Sequence, residues 1–282
     1  MKTLLTNDIP PKRNFASGGG WLRVGIPYNR AAPLTMSLLC LVITLSLTKK
    51  LNFHATDPWF WLAIPMCWFV SLRSFEVGVD RWLFIIPGVL VLTMIGSWPY
   101  SANHHFFFLW IAIPVLMRQE LLAGESFSRY VSISMGIMML AAGIQKLIGG
   151  HYLDGSYLAY LATAGGETEN LLNLVCGGIL TDERMIPCPV LVWLSRLSLM
   201  AQFTIGLLFL FEVRSRLVYT IEILFLLVVG TIADEWVFQA INLLCIIFVI
   251  RGHVPVWAMF GIIPFTLIGL HKLDNLILGV LA

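Results

Sequence analysis

A lone lysine, Lys146, stands near the end of the otherwise uncharged apolar run Tyr130 to Ile148 and is followed by Gly149, Gly150 and His151. Two chemistries suit a lysine so placed. As an anchor, its long stem lies in hydrocarbon while the ammonium reaches out to the headgroups. As a reagent, an amine half-buried among apolar groups has its charged form disfavoured by desolvation and can accept a proton at neutral pH. The paired glycines would let a ligand or a neighbouring backbone approach closely.

Other residues that could do chemistry are Asn103, His104 and His105 at the start of another apolar run, Asp154 soon after His151, and Asp234 beside Glu235. Imidazoles that open a span are commonly interfacial, because histidine is costly in a membrane only when charged. Imidazole and carboxylate suit many divalent metals, but nothing enforces a ligand spacing among these residues, so no metal is expected. Arg196 and Glu222 lie in consecutive apolar runs. Each is expensive to leave alone in hydrocarbon, and an ion pair between them is the expected use. Cys40, Cys67 and Cys245 fall within apolar runs and read as buried residues. Cys176 and Cys188 share one loop, where they could be bonded or free thiols.

The elements that must carry these groups follow from composition. Hydrophobic residues make up 58% of the 282 and charged residues 12%, against roughly a quarter charged in a soluble domain. The apolar runs recur along the whole chain, so the expected fold is all-α, a polytopic integral membrane helical bundle. Candidate spans are 31–48, 58–72, 82–98, 104–117, 130–148, 189–211, 217–233, 236–250 and 254–270. Several are short, which makes the expectation seven to nine transmembrane helices. The arrangement is a tail over 1–30, a transmembrane domain over 31–270 with a long loop at about 149–188, and a tail over 271–282. Tyr152, Leu153, Tyr157, Leu158 and Leu161 recur at helical spacing at the start of that loop, which predicts an amphipathic helix in the interface. No cleaved signal peptide is expected, because the first thirty residues hold no apolar core followed by a small-residue cleavage site.

Lysine and arginine placement orients the spans, since cytoplasmic loops hold an excess of both. With the N-terminus inside, the inner segments hold Lys2, Lys12, Arg13, Arg23, Arg30, Arg73, Arg81, Arg118, Arg129, Arg214, Arg216 and Arg251. The outer segments hold only Lys49, Lys50, Arg184 and Lys272, so a cytoplasmic N-terminus is expected. Asn103, His104, His105, Lys146, His151, Asp154 and Asp234 then all reach the outer face. The net charge is +2 with no basic cluster interleaved with aromatics, so no nucleic-acid partner is expected. Arg196, Glu222 and Gln202 are too few polar groups to suggest a transporter's path through the bilayer.

The segment "SMGIMMLAAGIQKLIGGHYLDGSYLAYL", Ser134 to Leu161, resembles the vitamin K-dependent γ-carboxylase-like family, whose bacterial relatives are called HTTM (horizontally transferred transmembrane) proteins. The shared pattern is an apolar helix, Ala-Gly-x-x-Lys-Leu, a short acidic spacer and an amphipathic stretch. "ANHHFFFLW", Ala102 to Trp110, is similar to that family's Asn-Asn-His followed by aromatics, and the resemblance spans about residues 100 to 250. It implies that Lys146 deprotonates a bound hydroquinone, with Asn103 and His104 as hydrogen-bonding partners; His105, His151, Asp154 and Asp234, placed on the same face by the charge count, are then expected around the cofactor. In the family, oxygen then adds and the resulting base removes a glutamate γ-proton before CO2 is added. Two departures stand out. Gly230 occupies the place of a further family histidine, and the chain stops at Ala282 without a large extracytoplasmic domain. Full peptidyl-glutamate carboxylation is therefore not expected.

Two readings follow. One is a quinone-dependent, carboxylase-like enzyme of a bacterial inner membrane, with a quinone or hydroquinone as cofactor and lipids as neighbours. The other is a non-catalytic subunit that stabilises a larger respiratory or photosynthetic membrane complex.

Overall fold

The computed structural model describes residues 25–26, 28–49, 58–96, 103–163, 176, 187–213, 215–232, 236–250 and 254–255. Nine α-helices are placed among them: α1 (Tyr28–Lys49), α2 (Pro58–Val77), α3 (Ile85–Gly96), α4 (Asn103–Met117), α5 (Glu125–Gly149), α6 (Ser156–Thr163), α7 (Pro189–Leu210), α8 (Arg216–Ile232) and α9 (Trp236–Val249). One two-residue antiparallel ribbon pairs Gly25–Ile26 with Val254–Pro255. The ribbon takes the first two residues of the expected ninth span, and 256–270 lies outside the described residues.

Helix ends follow their local chemistry rather than the apolar count. The expected span 58–72 runs on to Val77, because Arg73, Ser74 and Glu76 are compatible with helix. The stop is Gly78, at φ +81°, whose N–H donates to Ser74 O at 3.0 Å. Likewise α5 begins at Glu125, before the apolar run, with an acid in its first turn where the helix dipole favours it. Gly150, at φ +75°, closes α5 by donating to Leu147 O.

Four of the helices are long and apolar enough to cross a membrane: Arg30–Thr48 within α1, α2, α5 and α7. Arg81–Gly96, His104–Met117 and Val237–Val249 are shorter apolar helices. α1 is the hub of one half of the molecule, packed on α2, α3, α4 and α9, with Met36, Leu39, Ile43 and Leu47 fully buried. In the other half, α5, α7, α8 and α9 close a ring, each packed on the next. Small hydroxyls tie helices together where hydrocarbon offers no alternative partner. Thr44 Oγ1 lies 2.9 Å from Ser71 Oγ, Ser132 Oγ donates to Phe209 O at 3.0 Å, and Ser128 Oγ donates to Val249 O at 3.3 Å. Outward faces carry Trp61, Leu62 and Phe69 on α2 and Trp193, Leu197 and Met200 on α7, all exposed. Such surfaces suit acyl chains rather than water.

Candidate functional site

Lys146 lies one turn before the end of α5, and the chain beyond it folds back through a tight turn into α6. The turn explains why the amphipathic helix is shorter than its spacing suggested. Tyr152 and Leu153 lie in the turn rather than the helix, and α6 starts only at Ser156. Gly155, at φ +77°, makes this geometry reachable. A Cβ there would sit 2.9 Å from the Val192 backbone, so only glycine lets the turn press on α7.

The turn brings Lys146 onto an aromatic face. Its Nζ sits 4.7 Å from the centre of the Tyr152 ring, and Tyr152 stacks on Tyr157 with centroids 4.6 Å apart and planes 24° from parallel. A cation over a ring face is attracted by the ring quadrupole, worth about 0.5–1 kcal/mol at an exposed site and more when desolvated. Below the stack, Leu158 and Ala159 bury against Cys176 and Leu191. The Cys176–Cys188 disulfide is formed, with Cα atoms 5.9 Å apart. It joins the long loop to the start of α7 and backs the small core under α6.

His151 and Asp154 belong to the same turn, on its exposed side. His151 Nδ1 lies 3.2 Å from Ser156 Oγ, and Asp154 Oδ1 accepts from the Ser156 N–H at 2.9 Å. That backbone N–H, with the Ser156 hydroxyl and nearby His151, holds the Asp154 carboxyl below its ordinary value of 3.8. Arg196 Nε donates to Leu153 O at 2.9 Å, which braces the turn against α7. The expected Arg196–Glu222 pair is therefore not made. Arg196 is exposed near the start of α7, whereas Glu222 is fully buried in α8.

His104 and His105 form a second constellation in the first turn of α4, their ring centroids 4.4 Å apart. The His105 ring turns into the bundle: it is 2% exposed, and its Nε2 lies 3.1 Å from Ser46 Oγ on α1. A hydroxyl on a neighbouring helix makes burial of the neutral ring tolerable. Asn103 opens α4, and Asp234 lies outside the described residues. The structure thus groups Lys146, His151 and Asp154 at one turn and His104 with His105 against α1. The stack of Tyr152 and Tyr157 and the partner Ser46 were missed by sequence reasoning. Their signal was faint: two tyrosines five residues apart after a lysine, and a serine near a helix end.

Among the described residues no group of three or more His, Cys, Asp and Glu side chains gathers to hold a metal ion. No family model matches this chain, and no curated protein or solved structure matches it either.

Proposed function

We propose that the chain is an HTTM-type, carboxylase-like membrane protein of seven to nine spans that engages a quinone or hydroquinone at the outer face of a bacterial inner membrane. In this reading Lys146 is the base, and Asn103 and His104 hydrogen-bond the quinone oxygens. The observation that carries it is the Lys146 ammonium held over the Tyr152 ring at the end of a helix long enough to span, within the stretch that resembles the family. A flat aromatic stack beside a lysine is a surface on which a second flat ring can compete for the cation. The ammonium would first release its own proton to solvent as the ring displaces water, and the neutral amine would then take the proton of the hydroquinone hydroxyl, giving the ammonium and the hydroquinone anion. His105, His151, Asp154 and Asp234 would border the headgroup.

The test is to purify the protein in mild detergent, extract bound quinone and weigh the particle by native mass spectrometry. Quinone co-extracted with the protein, and lost in Lys146→Ala and His104→Ala at unchanged protein abundance, is the expected result. Equal quinone content in the wild type and both variants would sink the proposal.

A second reading is favoured by a separate observation. Lys146 on Tyr152 and Arg196 on Leu153 O both fix the α5–α6 turn, as a structural clamp would. Under that reading the chain is a non-catalytic subunit of a larger respiratory or photosynthetic complex. Native mass spectrometry then returns a defined assembly with no quinone bound.

A further inference from the structure

Four polar side chains in the ring of α5, α7, α8 and α9 have no use in the site above. Glu222 on α8, Gln202 on α7 and Asn242 on α9 are 0% exposed, and Gln239 on α9 is 1% exposed. Among the described residues, both carboxylate oxygens of Glu222, both amide atoms of Gln202 and Gln239, and Oδ1 of Asn242 meet no hydrogen-bond partner. The Asn242 amide nitrogen is spoken for, donating to Phe238 O at 2.8 Å. Buried polar groups are nearly always satisfied, so four orphaned side chains in one bundle call for a ligand.

Their depths can be read from contacts between the antiparallel helices. Ser128 bonds Val249, which sets α9 against α5. A Cβ on Gly136 would meet Gly206 O at 2.8 Å, which sets α7 against α5. The rings of Phe209 and Tyr219 lie 6.4 Å apart, which sets α8 against α7. Counting along the helices from these anchors puts Asn242 level with Met135, Glu222 with Gly136, Gln239 with Met138 and Gln202 with Leu140. All four fall within a slab about 8 Å thick, at roughly 1.5 Å per residue, around the midpoint of α5.

Each also lies on a buried stripe. Gln202 follows Leu191, Ser195 and Leu199 on α7, and Glu222 sits between Val218 and Leu226 on α8. The described cations of these helices are engaged or placed elsewhere. Arg129 pairs with Glu212 at 2.6 Å, Lys146 lies over Tyr152, Arg196 bonds Leu153, and Arg216 is the exposed first residue of α8. None of them reaches the level of Glu222.

We propose that the centre of this bundle is a binding site for a small alkali cation, with the Glu222 carboxylate as its charged ligand and the side-chain oxygens of Gln202, Gln239 and Asn242 as neutral ligands. One carboxylate at mid-membrane is balanced by one monovalent charge, and a divalent ion would leave the site charged in hydrocarbon. Neutral oxygens replace the hydration shell that such an ion must shed. A proton on Glu222 would be donated to one amide oxygen and would leave the other two unexplained, so the set of oxygens favours the alkali ion, with the Gln202 and Gln239 amide nitrogens turned away from it. The site makes no use of Lys146 and stands or falls apart from the quinone reading.

The test uses the full chain in lipid nanodiscs, with sodium, potassium and choline chlorides exchanged at constant ionic strength. The Tm should rise with sodium or potassium over choline and saturate with concentration, as expected of an ion that binds only the folded state. Glu222→Gln should keep the fold, since it is isosteric and removes a buried charge, and should lose that rise. Infrared difference spectra of the wild type need no variant and should show Glu222 passing to carboxylate as the alkali ion binds. Identical Tm in all three salts, or a Glu222 carboxyl that answers to pH alone and ignores alkali ions, overturns the proposal.

Discussion

Gly136 and Gly206 bring α5 and α7 into backbone contact: a Cβ on Gly136 would lie 2.8 Å from Gly206 O and 2.6 Å from the Leu210 nitrogen. Both neighbours are α7 backbone, so only a shift of the whole helix away from α5 could make room. With no hydrophobic drive between helices in lipid, such close approach of backbones supplies the packing that joins them.

The first prediction concerns this contact. Gly136→Ala forces backbone apart and should cost about 1–3 kcal/mol, the usual range for an overpacked core. Gly149→Ala is its control on the same helix, because a Cβ there meets nothing within 4 Å. Thermal unfolding in detergent should separate the two variants clearly, and equal Tm values would show that α5 and α7 do not pack as described.

A second prediction follows from the Cys176–Cys188 bond, which closes a short loop with a sequence separation of 12. Its loss in Cys176→Ser should lower stability by up to about 3 kcal/mol by the loop-entropy relation. The effect should be local. Proteolysis between 164 and 187 and around α6 should accelerate under reducing conditions, while cleavage near α1 stays unchanged. Insensitivity of the loop to reductant would count against the bond.

The third prediction is a pH dependence with a definite sign. The fold holds the Asp154 carboxyl below its ordinary 3.8, chiefly through the Ser156 N–H, so the native turn favours the ionised form. The stabilisation is present above the unfolded value and is lost as pH falls through the lower, folded one. Hydrogen exchange at Ser156 and Tyr157, corrected for the intrinsic pH effect, should therefore lose protection only in strong acid. Asp154→Asn should abolish that transition, and a wild-type profile in the variant would remove Asp154 from the cause.

Much of the architecture was legible along the chain. Runs of apolar residues cannot be kept in water, and they cannot enter lipid without satisfying their own backbone, so seven to nine spanning helices were expected. Eight of the nine candidate segments are helical here, and four helices among the described residues are long and apolar enough to span. The location of Lys146 at a helix end and the pairing of Cys176 with Cys188 were within reach for the same reason, since each depends on near neighbours in sequence, whereas the turn over 151–155 falls where the spacing predicted the start of the amphipathic helix.

Contacts between helices were beyond that reach. Lysine over Tyr152, Ser46 against His105, and Arg196 bonded to Leu153 rather than to Glu222 all depend on rotation and relative depth. A hydropathy pattern carries neither quantity, because every face of a membrane helix is apolar enough to be either buried or lipid-facing. Gln239 and Asn242 show the difference most plainly. Along the chain they are two amides three residues apart in an apolar run, a weak sign of one helix face. Only the packing of α9 against α5 and α8 sets them at the depth of Glu222 and Gln202 and removes water from all four, because burial is a property of the assembled bundle and not of any one helix.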